Sequence, residues 1–140
     1  IDLGDYLSEA VSSVVEYLAA VGGAVHVEAD CAHQAIDTRR AIYVGLIVHE
    51  FVANALKHAF PDGGEGRFRL SLRVEEGFVS LRAADDGVGL PAGFSFAGAK
   101  SLGVLIVTNL ARQLDGSVKV GTGLAGGRGP GASFTLRFPL

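Results

Sequence analysis

The chain has 140 residues, 49% of them apolar and 19% charged, and a net charge of −3. That length is about one domain of chain, enough to bury a sizeable core, and the composition is that of a folded globular domain and not a disordered segment. The mildly acidic balance gives no electrostatic footprint for nucleic acid or an anionic membrane, and no apolar run approaches the ~20 residues of a membrane-crossing helix. The one cysteine, Cys31, excludes an internal disulfide framework and a multi-cysteine zinc site, and reads as an ordinary thiol in a reducing compartment. The sequence contains no methionine and opens on Ile1. This leads to the expectation of a single domain, residues 1–140, cut from a longer protein.

Residues 1–20 carry Leu3, Leu7, Val11, Val14 and Leu18 at helical spacing, with Asp5, Glu9, Ser13 and Glu16 opposite, and Gly22-Gly23 as the stop. Residues 24–29 alternate as a short strand. A second helix is expected from a cap at Asp37 or Thr38 to about Phe60, ended by Pro61 and the Asp62-Gly63-Gly64 turn. Residues 67–74 and 78–84 then form a hairpin around Glu75-Glu76-Gly77. Phe68, Leu70, Leu72 and Val74 share one face; Arg67, Arg69, Ser71 and Arg73 share the other. Residues 85–100 are glycine-rich and irregular. A third helix spans about 102–114 between Ser101 as N-cap and Gly116. Two last strands, 117–121 and 132–138, flank a glycine-crowded loop. The order predicts an α/β sandwich of two layers, a mixed, mostly antiparallel sheet with helices on one face.

Three places carry chemistry. The second helix is apolar on nearly every side, yet Glu50, Asn54, Lys57 and His58 interrupt it at spacings that align them on one stripe. Such a stripe can simply face water. Asparagine is a poor choice for that inside a helix, and a metal ion held by its amide oxygen would explain it. The second place is Asp85-Asp86-Gly87-Val88-Gly89, directly after a strand. Glycines one residue apart permit a tight turn, or the approach of a flat ligand to the main chain, with Asp85 as a buried acceptor. The third is Lys100-Ser101-Leu102-Gly103, where a helix start offers free N–H groups to an anion.

Together, the run His49 to Phe60, Asp85-x-Gly87-x-Gly89 and Ser101-Leu102-Gly103 resemble the asparagine box and two glycine boxes of the GHKL ATP-binding superfamily. That superfamily includes DNA gyrase, heat-shock chaperones, mismatch-repair ATPases and sensor histidine kinases. Within it, the run Leu46 to Pro61 and the ending Phe134 to Pro139 are similar to histidine kinases of the HisKA_2 type, relatives of the HWE kinases.

The resemblance implies the Bergerat-type ATP-binding fold, ATP and Mg²⁺ as ligands, and a role in two-component signalling. It implies that Asn54 and Glu50 hold Mg²⁺, and that Glu50 polarises a metal-bound water or helps proton transfer. Lys57 would neutralise phosphate charge and His58 would be a second phosphate contact. Asp85 would accept the adenine amino group, with Gly87 and Gly89 shaping the wall. Lys100, Ser101, Leu102 and Gly103 would cover the phosphates, with residues 94–100 as the lid. The implied partners are a phosphoacceptor helical hairpin of the same parent protein and a response regulator or phosphotransfer protein. No nucleic acid and no direct membrane contact are expected, and the expected location is cytoplasmic. The alternatives are an anti-sigma-type protein-serine kinase and a docking module that has lost ATP.

The sequence departs from the family pattern in three places, one of them a lid with a single clear glycine at its helix start, which fits the short lid of this subgroup and not the longer one of classical kinases. His49 stands where asparagine is common, and Ala132 follows Gly131 where the family usually has threonine. Ser133 is a doubtful substitute, because neighbours along a strand face opposite ways.

Overall fold

A computed structural model describes residues 1–60, 65–91, 94 and 101–140, with His58 described by its backbone alone. Helix α1, Leu3–Val21, begins two residues later than the periodicity predicts, because the Asp2 carboxylate caps it by accepting from the Asp5 N–H at 2.9 Å. Gly22 ends it in the left-handed conformation, at φ +73°. Strand β1, Val25–Cys31, follows. Helix α2, Thr38–Asn54, starts at Asp37, whose carboxylate accepts from the Arg40 N–H at 3.1 Å.

Here the structure corrects the expected single helix to Phe60. The α-helix stops at Asn54, and Ala55–Ala59 form a π-helical turn. A π turn widens the helix and shifts the phase of every later side chain, so a stripe counted at α spacing does not run on past Asn54. Ala55 and Ala59 are buried, whereas Lys57 is exposed.

Strands β2, Gly66–Glu75, and β3, Phe78–Asp85, form the expected antiparallel hairpin. Helix α3, Leu102–Gln113, is capped by the Ser101 hydroxyl, which accepts from the Val104 N–H at 3.2 Å. Strands β4, Ser117–Gly121, and β5, Ser133–Pro139, complete the described elements.

The sheet order is β1-β2-β3-β5-β4. β1 and β2 are parallel, as a strand–helix–strand crossover through α2 requires, and the other pairs are antiparallel. Rows of side chains cross the sheet in register. Leu72, Leu81 and Leu136 form one such row, fully buried, facing the helices. One residue along, Ser71, Arg82 and Thr135 form a row on the opposite face, which no described element covers. The expected two-layer sandwich is therefore observed, with a continuous core from α1, α2 and α3 onto one sheet face. Among the described residues no helix is long and apolar enough to cross a membrane.

The two faces predict opposite responses to substitution. Leu81→Ala should lower unfolding free energy by about 2–5 kcal/mol, since it empties the middle of a packed row. Ser80→Ala, on the open face, should stay within about 0.5 kcal/mol. Urea unfolding of the two variants measures both, and equal losses would contradict the layering.

Candidate functional site

A cavity of about 600 Å³ lies between the end of α2, the start of α3 and the helix-facing side of β3 and β5. Its size suits a nucleoside-sized ligand. Ala55, Ala59, Leu90, Val104 and Phe134 give it apolar walls, and Asn54, Asp85 and Ser101 are its polar side chains. Phe134 stacks on Phe51 of the core with ring centroids 5.2 Å apart, so that wall is rigidly backed.

Asp85 is the last residue of β3 and faces the helices in the same alternation as Leu81 and Ala83. Only 3% of it is exposed. Its Oδ1 accepts from the Gly87 N–H at 2.9 Å and from the Ala132 N–H at 3.2 Å. Among the described residues no hydrogen bond reaches Oδ2. Burial pushes the carboxyl above the ordinary value, the two N–H groups pull it down, and the neighbouring Asp86 charge adds to the rise. The site thus presents one carboxylate oxygen, held by main-chain donors at its partner atom, to a mostly apolar space.

The turn after Asp85 is built by close approach. The Val88 N–H donates to the Ala59 carbonyl at 3.0 Å, and a methyl on Gly87 would collide with that same carbonyl. Gly89 adopts φ +87°, a conformation that side chains disfavour.

At the other end, a Cβ on Gly103 would stand 2.5 Å from Glu50 Oε2. The glycine therefore lets the Glu50 carboxylate lie against the first turn of α3. The structure brings Asn54, Asp85, Gly89 and Ser101 onto one cavity and places Glu50 against Gly103. Gly87 is buried behind the Asp85 turn, while Lys57 and Leu102 are exposed and outside the cavity lining. The side chain of His58, Lys100 and all of the expected lid except Phe94 lie outside the described residues. His49 is exposed and lines no part of the cavity.

One departure from the family pattern meets the cavity directly, and one set of wall residues escaped the motif reading. Ala132 lines the cavity but carries no hydroxyl, and Ser133 points to the far side of the sheet, where its Oγ would meet a Cβ on Gly121 at 3.3 Å. Ser133 therefore offers the cavity nothing. The walls from Ala55, Ala59, Val104 and Phe134 read in the sequence only as core. The alternation of β5, which puts Ala132 and Phe134 on the helical side, was the signal that could have found two of the wall residues.

Residues 40–140 match the family of histidine kinase-, DNA gyrase B- and HSP90-like ATPases. The chain belongs to that family. It is 36% identical over 107 residues to the sensor histidine kinase PdtaS of Mycobacterium tuberculosis, covering 75% of this chain and 21% of that protein. It is 32% identical over 142 residues to blue-light-activated histidine kinase 2 of Erythrobacter litoralis, covering all of this chain and 39% of that protein. The solved histidine kinase domain of Erythrobacter litoralis EL346 superposes with a TM-score of 0.85 at 30% identity, covering 100% of this chain and 62% of that one. The chain thus spans well under half the length of the curated relatives it matches.

The raised Asp85 carboxyl makes a signed prediction for the ligand-free domain. A folded-state value above the unfolded one means that the folded state binds the extra proton between the two values. The contribution of Asp85 to stability is then full below the ordinary carboxylate value of 3.8 and falls as pH rises toward the raised one. Unfolding free energy of the unmodified chain minus that of Asp85→Asn should decline with pH across that window. A difference that is flat or rises with pH would contradict the assignment.

Proposed function

We propose that this chain is the ATP-binding catalytic domain of a sensor histidine kinase, which binds Mg·ATP and supplies its γ-phosphoryl group to a histidine elsewhere in the parent protein. The observation that carries this reading is Asp85. A buried carboxylate with one oxygen saturated by main-chain N–H groups and the other open to a mostly apolar cavity suits the exocyclic amine of a flat heterocycle such as adenine. A guanine would bring a carbonyl oxygen to the same acceptor and be repelled.

The phosphate end follows from α2 and α3. Asn54 and Glu50 offer hard oxygen donors on successive turns of one helix, a donor set that fits Mg²⁺. Bound there, Mg²⁺ would supply charge neutralisation to the phosphates. The start of α3 adds N–H groups and the positive end of its dipole. Lys57, exposed at the π turn, has the reach and charge to meet a phosphate. His58 and Lys100 are proposed phosphate contacts on the resemblance alone. The protein's work is positioning and electrostatics: the acceptor nitrogen forms the bond to phosphorus as the bridging oxygen departs with ADP.

The acceptor is proposed to lie on a helical hairpin outside residues 1–140, with a response regulator or phosphotransfer protein downstream. His26 is in β1, His33 follows it, and His49 and His58 sit on the helix and turn that build the cavity, so none is presented to a phosphate from a helical hairpin.

Calorimetric titration with ATP and Mg²⁺ tests the reading. The unmodified chain should bind, and Asp85→Asn should weaken binding by about tenfold or more, the worth of a hydrogen bond to a charged group. Asn54→Ala should retain nucleotide but lose the Mg²⁺ dependence. The chain alone should incorporate no ³²P from labelled ATP. Absence of binding at millimolar ATP would overturn the proposal in favour of a docking module.

A further inference from the structure

Two carboxylates stand side by side at the end of β3, and the proposed function uses one of them. Strand alternation sends Asp85 into the cavity and Asp86 to the open face of the sheet. Asp86 is nevertheless buried, at 7% exposed. Its Oδ1 accepts from the Arg67 backbone N–H at 2.7 Å and its Oδ2 from Arg67 Nε at 3.2 Å, while its own N–H donates to the Arg67 carbonyl at 3.1 Å. Three bonds to one residue thus close the β2–β3 ladder just beyond its last pair, Phe68 and Asp85.

Arg67 reaches further. Its Nη2 donates to the Ala125 carbonyl at 2.5 Å. Ala125 belongs to the glycine-crowded loop before β5. That loop is fastened to the same strand end: the Leu124 N–H donates to the Asp85 carbonyl at 2.7 Å, and the Gly131 N–H to the Gly87 carbonyl at 3.0 Å. Gly127 packs so tightly that a methyl there would collide with the Asp86 carbonyl.

Stability alone is a poor reason for this arrangement. Arg67 is half exposed, which weakens the ion pair, and the charge of Asp86 itself opposes ionisation of Asp85. A neutral residue would spare Asp85 that repulsion. What an anionic Asp86 supplies is a pair of directional, charge-assisted bonds that fix its main chain, and with it the peptide joining it to Asp85.

We propose that Asp86 and Arg67 are a positioning pair which, with the 122–131 loop, sets the direction in which Asp85 presents its carboxylate, and so the preference for a 6-amino over a 6-oxo purine nucleotide. The proposal rests on the adenine reading of the cavity. Neither residue touches the nucleotide in it; both act through the Asp85 main chain.

The test compares affinities for ATP and ITP, which carries a carbonyl where ATP has the amine, alongside the melting temperature of each variant. Asp86→Ala and Arg67→Gln should each cut the ATP-over-ITP preference by about tenfold, the worth of one well-aligned bond to a charged acceptor, and leave ITP affinity unchanged. Asp86→Asn keeps an oxygen for the Arg67 N–H and should recover part of the preference. Variants that melt earlier yet keep the full preference would overturn the proposal, since a purely structural role moves only that readout. If Asp86→Ala does not fold, Arg67→Gln, at a half-exposed side chain, decides alone. An unmodified chain that binds ATP no better than ITP would instead overturn the adenine reading itself.

Discussion

Asp85 ends β3 with its side chain in the helical layer, where desolvation works against its charge and two main-chain N–H groups work for it. The rest of the cavity follows from that balance. The Gly87 donor exists only because the chain turns sharply after the strand, and the turn is possible only because Gly87 lies against the Ala59 carbonyl at the end of the π turn. The Ala132 donor requires the chain entering β5 to run alongside β3, which the Asp85 N–H to Ala132 carbonyl bond at 3.0 Å secures. An unsupported carboxylate in this space would take up a proton and lose its acceptor-only character.

The sheet's two faces divide the work residue by residue. Asp85, Ala132 and Phe134 belong to the cavity; Asp86 and Ser133 are displaced to the opposite side by one step of the backbone. A shift of register by one residue in β3 or β5 would exchange these sets, putting Asp86 in the cavity and Asp85 against Arg67. The fully buried Leu72–Leu81–Leu136 row makes such a slip prohibitive, because it would move leucines to the open face. Core packing far from the cavity therefore specifies which carboxylate faces the cavity.

Much of this was legible in the sequence. The alternation of Phe68, Leu70 and Leu72 against Arg67, Arg69 and Arg73 is a local pattern, and so are the caps at Asp37 and Ser101; local patterns survive folding where tertiary packing agrees with them. Asn54, Asp85, Gly89 and Ser101 were found from motif spacing and meet at one cavity. The π turn was not legible, since a run of helix-forming residues from Ala53 to Ala59 looks the same at α or π spacing, and its closing carbonyl, Ala59, is met by the Val88 N–H from far along the chain. Asp86 was passed over for a related reason. Within Asp85-Asp86-Gly87 nothing local says which carboxylate is bonded to Arg67, 19 positions before Asp86 in the chain; only the β2–β3 register does.

The two ends of the cavity differ in how they are built, and the difference has a physical consequence. The Asp85 end is fixed by main-chain bonds among β3, the start of β5 and the 122–131 loop, groups that cannot move without breaking the sheet. The Asn54 and Glu50 end is made of side chains on a helix facing the first turn of another helix, with Lys57 exposed beyond them. Side chains and helix starts adjust by rotamer changes and small shifts at far lower cost than a strand pair. In the proposed function this asymmetry is needed. A phosphoryl donor whose acceptor lies outside the chain must hold the base in one place while the γ-phosphate is handed outward, so rigidity belongs at the carboxylate and adaptability at the phosphates.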